Sequence, residues 1–144
     1  MSKIIHILNG PNLNLLGERE PQIYGRTTLQ DIEAECRETA ATKGFEIVFR
    51  QTNSEAEMIG FVQAARKEAG IVINPAAFSY HSVGVLDALK ACECPIIEVH
   101  ISNIHRRDEQ WRKDTIMTAA ATGVISGLGV DGYRLAVLHL VRSR

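Results

Sequence analysis

Two stretches of the sequence carry groups suited to proton transfer. The first is Glu18-Arg19-Glu20-Pro21-Gln22-Ile23-Tyr24-Gly25-Arg26. It is too polar, and too broken by Pro and Gly, to read as a helix, and it reads instead as a mobile loop of the lid type. A tyrosine has an ordinary pKa of about 10 and is a poor base at neutral pH. A nearby guanidinium favours the phenolate, each pKa unit being worth about 1.4 kcal/mol. Arg19 stays protonated and cannot itself be the base, so the pair makes chemical sense as Tyr24 activated by Arg19. The same spacing also suits an ordinary exposed loop with an incidental Arg and Tyr. The second stretch is Glu98-Val99-His100. Residues two apart on a strand face the same way, so Glu98 can orient or charge the His100 ring. A protonated His100 would be a general acid for a leaving hydroxyl, a role worth roughly 10²- to 10⁴-fold in rate. The alternative is a structural histidine capping a strand end.

Other polar groups collect around these two. Asn12 and Asn74 each follow an apolar run, where an asparagine can donate to a developing oxyanion, directly or through a water. Each can equally be a turn residue making an Asx-type bond. Ser102 and the backbone N–H groups around Ile101 suit a carboxylate, and Arg106, Arg107 and Arg112 add local positive charge. Cys92-x-Cys94 has no second pair of suitable spacing, so a zinc site is disfavoured and no metal is expected. Trp111 reads as a packing residue. No G-x-G-x-x-G or P-loop is present, and a phosphoacceptor receiver domain is disfavoured by Asn where its acidic cluster would stand.

The elements that must position these groups are short. Lys3–Leu8, Phe45–Phe49, Ile71–Ile73, Pro95–Val99 and Val124–Ile125 read as strands, being β-branched and bounded by turn residues. Between them lie helical patterns. Leu29, Ile32, Cys36 and Ala40 share a face behind a Thr27 or Thr28 cap. Met58, Val62, Ala65 and Ala69 follow a Ser54-x-x-Glu57 capping box and are closed by Gly70. Ser82–Ala91, a short stretch from Lys113 to Thr122, and Asp131–Val141 complete the set. Alternating strands and helices predict an α/β fold. The size favours a flavodoxin-like, doubly wound three-layer α/β/α domain with a five-stranded parallel sheet over residues 1–144. In such folds ligands sit beyond the carboxyl ends of the strands, which is where the polar groups above are found.

Composition narrows the function. In 144 residues, Lys+Arg 16 against Asp+Glu 17 gives a net charge of -1, which argues against broad binding to nucleic acid or an anionic membrane. No apolar run approaches membrane-spanning length. The opening Met1-Ser2-Lys3-Ile4-Ile5-His6 has no small-residue cleavage site, so no signal peptide is expected. The odd set Cys36, Cys92 and Cys94 reads as reduced thiols of a cytoplasmic protein.

Taken together, the motifs resemble one family, the type II 3-dehydroquinate dehydratases. The resemblance is carried by the run from Asn9 to Gly25, by Ile73-Asn74-Pro75-Ala76-Ala77, and by Val83 to Leu89 with Asp87. Glu98 to His105 and Gly123 to Gly129 with Gly132-Tyr133 extend it over essentially the whole chain. It implies a flavodoxin-like fold, a dodecamer built of trimers, no metal or organic cofactor, and 3-dehydroquinate as the small-molecule substrate. It further implies Tyr24 as base with Arg19, an enolate stabilised through a water near Asn12, and Asn74 shaping that region. His100 with Glu98 would be the acid, Ile101 and Ser102 would hold the carboxylate, and Arg112 a ring hydroxyl. Asp87 would reach a neighbouring subunit's site.

Two departures from the family pattern stand out. Tyr80-His81 occupies the place of the histidine expected six residues after Asn74. Trp111-Arg112-Lys113-Asp114-Thr115 replaces Phe-Arg-His-His-Ser, with one extra residue before it. Both fall on the hydroxyl-recognition side and bear on substrate identity rather than reaction type. Two other functions therefore stand beside the first: a paralogous β-eliminating dehydratase on a related polyhydroxy ring carboxylate, and a non-catalytic ligand-binding module of the same fold. The same reaction serves aromatic biosynthesis and quinate breakdown.

Overall fold

Five β-branched runs form the strands β1 (Ile4–Asn9), β2 (Glu46–Gln51), β3 (Gly70–Asn74), β4 (Ile96–His100) and β5 (Gly123–Ser126). In this computed structural model, residues 1–18 and 20–142 are described, with Tyr24 described by its backbone alone. All strand pairs are parallel and the order is β2-β1-β3-β4-β5, the flavodoxin-like arrangement expected. The winding reverses between β1 and β3, so a crevice opens beyond their carboxyl ends.

Alternate strand residues face opposite sides of the sheet and feed two cores. Helices α2 (Leu29–Ala41) and α5 (Asp131–Arg142) cover one face, where Ile5, Ile7, Val72, Ile97 and Val99 are buried. Helices α3 (Glu55–Ala65) and α4 (Val83–Lys90) cover the other, over Leu8, Ile71, Ile73 and Ile96. Capping signals set the helix starts. Thr28 Oγ1 accepts the Asp31 N–H at 3.2 Å while the Asp31 carboxylate accepts the Thr28 N–H at 3.0 Å, a reciprocal box. Ser54 and Ser82 each accept the N–H three residues on.

Three local expectations are corrected. The segment read as helix-free contains one helical turn, α1 (Pro21–Tyr24), because Pro21 stands at its first position and Gly25, at φ 79, ends it. Helix α3 stops at Ala65 rather than running to Ala69, and Gly70 opens β3. A Cβ at Gly70 would lie 2.9 Å from the Leu140 side chain of α5, which would have to shift to admit it. The stretch Lys113–Thr122 forms no α-helix. It holds a 3-10 turn, Ile116–Ala120, after another at Gln110–Arg112. Thr115, at its start, accepts the Met117 N–H, and Thr122 trades bonds with the Ile96 backbone. Such hydroxyl bonds compete with helix formation.

The crevice is tied from below. Gly10 N–H donates to Asn74 O at 2.9 Å, and a Cβ at Gly10 would sit 2.3 Å from Pro75 O, so the loops after β1 and β3 touch through backbone alone. Beneath them the fully buried Tyr133 of α5 donates its hydroxyl to Asn9 Oδ1 at 2.7 Å and accepts from Asn74 Nδ2 at 2.9 Å. Asn9 Nδ2 continues to Arg50 O at 3.0 Å. Burial pushes the Tyr133 phenol well above its usual range, so it stays a neutral donor. Tyr133→Phe leaves both amides short of a buried partner and is expected to cost about 1–3 kcal/mol in urea unfolding. Unchanged stability would show that Asn9 and Asn74 bond each other instead.

Candidate active site

The crevice is a cavity of about 360 Å³. Its walls come from three loops that leave the carboxyl ends of β1, β3 and β4. Pro11, Asn12, Leu13 and Leu16 follow β1, and Asn74, Ala76, Ala77, Tyr80 and His81 close β3. His100, Ile101, Ser102, Ile104, Arg107, Trp111 and Arg112 come from β4 and the segment after it.

His100 ends β4 with its side chain buried, and Nε2 lies 2.6 Å from Glu98 Oε2. The strand period of two puts both on the α3/α4 face, as the spacing predicts. Glu98 is 0% exposed and sits behind the imidazole, not on the cavity wall. Its other oxygen, Oε1, accepts from Thr118 Oγ1 at 2.7 Å. Burial by itself would raise the Glu98 carboxyl. The bonds from His100 and Thr118, the imidazole charge and Thr115 outweigh it and hold the group below the ordinary glutamate range. With Nε2 engaged, Nδ1 is the ring nitrogen left for a ligand.

Asn12 takes a left-handed conformation at φ 69, which asparagine tolerates. Its N–H donates to Asn53 Oδ1 at 3.0 Å, and Gln51 Nε2 reaches both Gly10 O and Asn53 Oδ1, so the end of β2 braces this loop. Asn74 makes the Asx-type bond weighed above, accepting the Ala76 N–H at 3.3 Å, while its amide donates to Tyr133. Ala76 is thereby held at φ 50 on the cavity wall.

Ser102 Oγ receives Arg107 Nη2 at 2.8 Å. Among the described residues no bond uses the N–H of Ile101 or Ser102, so both remain available to an anion. The loop after β5 steadies this corner: Gly127 N–H donates to His100 O and Gly129 N–H to Ile101 O. The opposite wall is aromatic and cationic. Tyr80 meets Trp111 edge-on at 5.3 Å between ring centroids, and the Arg112 guanidinium lies 4.4 Å over the Trp111 ring, with Glu109 3.7 Å from its Nε. His81 also reaches the cavity, its ring edge on Phe78.

The structure thus gathers Asn12, Asn74, Tyr80, His81, His100, Ile101, Ser102 and Arg112 around one cavity, with Glu98 directly behind. Asp87 is not among them; it is exposed on α4. Arg19 and the Tyr24 side chain lie outside the described residues. Arg106 is exposed and off the cavity, whereas Arg107, read from sequence only as local charge, lines it. Trp111 is 54% exposed and carries Arg112 rather than filling a core. Thr118 and Tyr133 were missed as contributors; Thr118 carries no local signal, and Tyr133 stood out only within the Gly132-Tyr133 motif. Among the described residues, no cluster of three His, Cys, Asp or Glu side chains is placed to hold a metal ion, and no helix is long and apolar enough to cross a membrane.

The family model described as Dehydroquinase class II matches residues 3–141. A protein of Agrobacterium fabrum named 3-dehydroquinate dehydratase 2 is 57% identical over 94% of this chain and 92% of its own length. One of Methylobacterium radiotolerans, named 3-dehydroquinate dehydratase, is 52% identical over 100% and 97%. A crystal structure of a type II dehydroquinase from Propionibacterium acnes superposes with a TM-score of 0.92 at 47% identity, covering 99% of this chain and 98% of that one.

The buried pair makes a prediction about acid stability. The Glu98 carboxyl titrates lower in the folded state than in the unfolded chain. Its stabilisation is therefore complete above the unfolded value of about 4.3 and is lost as pH falls through the folded one. Thermal unfolding of Glu98→Gln between neutral pH and pH 3 should show a shallower acid decline than the wild type. Parallel declines would show that Glu98 is not held ionised.

Proposed function

The chain belongs to the class II dehydroquinase family, and from that premise we propose that it is a hydro-lyase converting 3-dehydroquinate to 3-dehydroshikimate and water. The observation that carries the reading is the His100 imidazole, held on the cavity wall by a fully buried carboxylate, in a cavity whose other walls offer amide, hydroxyl and guanidinium groups. That is the equipment of a general acid facing a polyhydroxy carboxylate, not of a passive binding module.

The steps follow from the chemistry. Tyr24, as phenolate beside Arg19, takes the proton alpha to the ketone, and the electron pair moves onto the carbonyl oxygen. A water near Asn12 stabilises the resulting enolate. When the enolate collapses, the carbon–oxygen bond to the β hydroxyl breaks, and the hydroxyl takes the proton of His100 and leaves as water. Glu98 balances the imidazolium before that transfer. The N–H groups of Ile101 and Ser102, with the Ser102 hydroxyl, hold the substrate carboxylate, and Arg107, bonded to Ser102 Oγ, adds a cation to that corner. Arg112 takes a ring hydroxyl, and Tyr80 and His81 border the same side. Asp87, exposed and not among the residues that line its own cavity, serves the neighbouring subunit's site in a trimer, four of which form a dodecamer. We place the protein in the cytoplasm, where Cys36, Cys92 and Cys94, none of them in a disulfide, stay reduced.

One observation supports a second reading, a related polyhydroxy ring carboxylate as substrate. The Tyr80–Trp111 contact builds the hydroxyl-recognition wall from a phenol and an indole where the family pattern has a histidine and a phenylalanine.

The test is turnover of 3-dehydroquinate followed by the ultraviolet absorbance of the conjugated product. Wild type should turn over, and Tyr24→Phe should remove nearly all activity while the fold persists. His100→Ala should lose roughly 10²- to 10⁴-fold in kcat. A fully active Tyr24→Phe refutes the tyrosinate base. Tyr80→His separates the two substrates: faster turnover of 3-dehydroquinate favours the second reading, and slower turnover shows that Tyr80 or His81 already recognises this substrate.

A further inference from the structure

We propose that Thr118 is a positioning residue of the proton-transfer site: its hydroxyl sets the Glu98 carboxylate at the angle that aims the His100 ring at the substrate. The proposal rests on the reading of His100 as the general acid.

The geometry argues it in three steps. A glutamate carboxylate turns easily about its terminal torsion, and so does a histidine ring about its own, because sp³–sp² torsions have broad wells. A single bond between Glu98 and His100 therefore fixes a distance without fixing an orientation. Here both carboxylate oxygens are held, Oε2 by His100 Nε2 at 2.6 Å and Oε1 by Thr118 Oγ1 at 2.7 Å. Two anchors on opposite oxygens define the plane of the carboxylate, and that plane defines the direction from which the imidazole is met.

Next, the second anchor is delivered by a firmly seated segment. Thr118 lies on the 3-10 turn Ile116–Ala120, which is pinned by the buried Met117 and by the Thr115 hydroxyl at its start. Just after it, Thr122 bonds the Ile96 backbone in both directions, through Oγ1 at 3.0 Å and its own N–H at 2.7 Å. The turn is thus fastened to the beginning of the strand whose far end carries His100.

Finally, Thr118 does nothing else that would account for its type. It is exposed, belongs to neither core cluster, and does not line the cavity. Its one described hydrogen bond through the side chain goes to a carboxylate with 0% exposure. An exposed threonine turned inward onto a buried charge acts through that charge.

Thr118→Val removes the hydroxyl at nearly constant shape, and Thr118→Ser keeps the hydroxyl without the methyl. Both are compared with the wild-type full chain in steady-state turnover of 3-dehydroquinate, with thermal unfolding as a check on the fold. The valine variant is expected to lose about tenfold or more in kcat with KM nearly unchanged, and the serine variant to keep close to wild-type kcat. A valine variant with wild-type kcat overturns the proposal. So does a loss confined to KM, or a serine variant as slow as valine, which would assign the effect to the methyl group. If the valine variant does not fold, Thr118→Ala against Thr118→Ser decides on the same criteria. Failure of the functional reading looks different, because the wild type itself would then be inactive on 3-dehydroquinate, and the positioning role would fall with it.

Discussion

A carboxylate with no exposure to water is the constraint around which this molecule is organised. Removing a charge from water costs several kcal/mol even after relaxation, and only good partners on every side return it. Glu98 stands in the middle of a central strand, with β3 on one flank and β5 on the other. Its partners must therefore come from above or from its own strand, and they do: His100 from the same strand, and Thr118 and Thr115 from the segment laid across that face. The ordinary outcome for a lone buried acid is to take up a proton. The outcome here is an ionised group, because the donors outweigh the burial. Once Glu98 is charged and fixed, the His100 ring is tied to it, and the cavity acquires an imidazole at a set position on its wall.

The doubly wound topology gives the sheet a polar network at the carboxyl end of each face. On the α3/α4 face it is Glu98, His100 and Thr118. On the α2/α5 face it is Asn9, Asn74 and Tyr133, which joins β1, β3 and α5. The two differ in kind. The second is neutral, and Asn74 alone of its members reaches the cavity wall. It fixes the spacing of β1 and β3, and with it the separation between the Asn12 and Asn74 corners of the cavity. The first carries the charge. Chemistry and support are separated by the thickness of one sheet, so the supporting network can hold the crevice shape without exposing a second titratable group to it.

What the sequence made legible was local. Strand residues two apart announced Glu98 and His100, the Thr28 box announced α2, and the polar residues after β1, β3 and β4 marked one edge of the sheet before any coordinates. What stayed hidden was set by distance along the chain. Thr118 meets Glu98 across 20 residues and Tyr133 meets Asn9 across 124, with no spacing rule to suggest either. The run from Lys113 to Thr122 misled for the same reason: its apolar residues fit a helix, while its threonines are spent on Met117, Glu98 and Ile96, partners that only the folded chain supplies. Gly70 misled because its need is not a helix stop but the Leu140 side chain beside it.

The formal charge of -1 is a poor guide to what the cavity presents, because fields are local and screened within about 8 Å at physiological salt. Within the crevice the sign is ordered. Arg107 stands at the Ser102 corner, Arg112 lies across Trp111 on the opposite wall, and the anionic Glu98 is sequestered behind His100. A ligand that enters meets cations and N–H groups, and meets Glu98 only across the His100 ring. A small carboxylate is therefore favoured by the rim and is not repelled by the buried acid behind His100. Had Glu98 lined the cavity directly, its charge would have opposed the entry of an anion. Burial, with a threonine recruited from a distant turn, keeps that charge off the wall of a cavity of about 360 Å³.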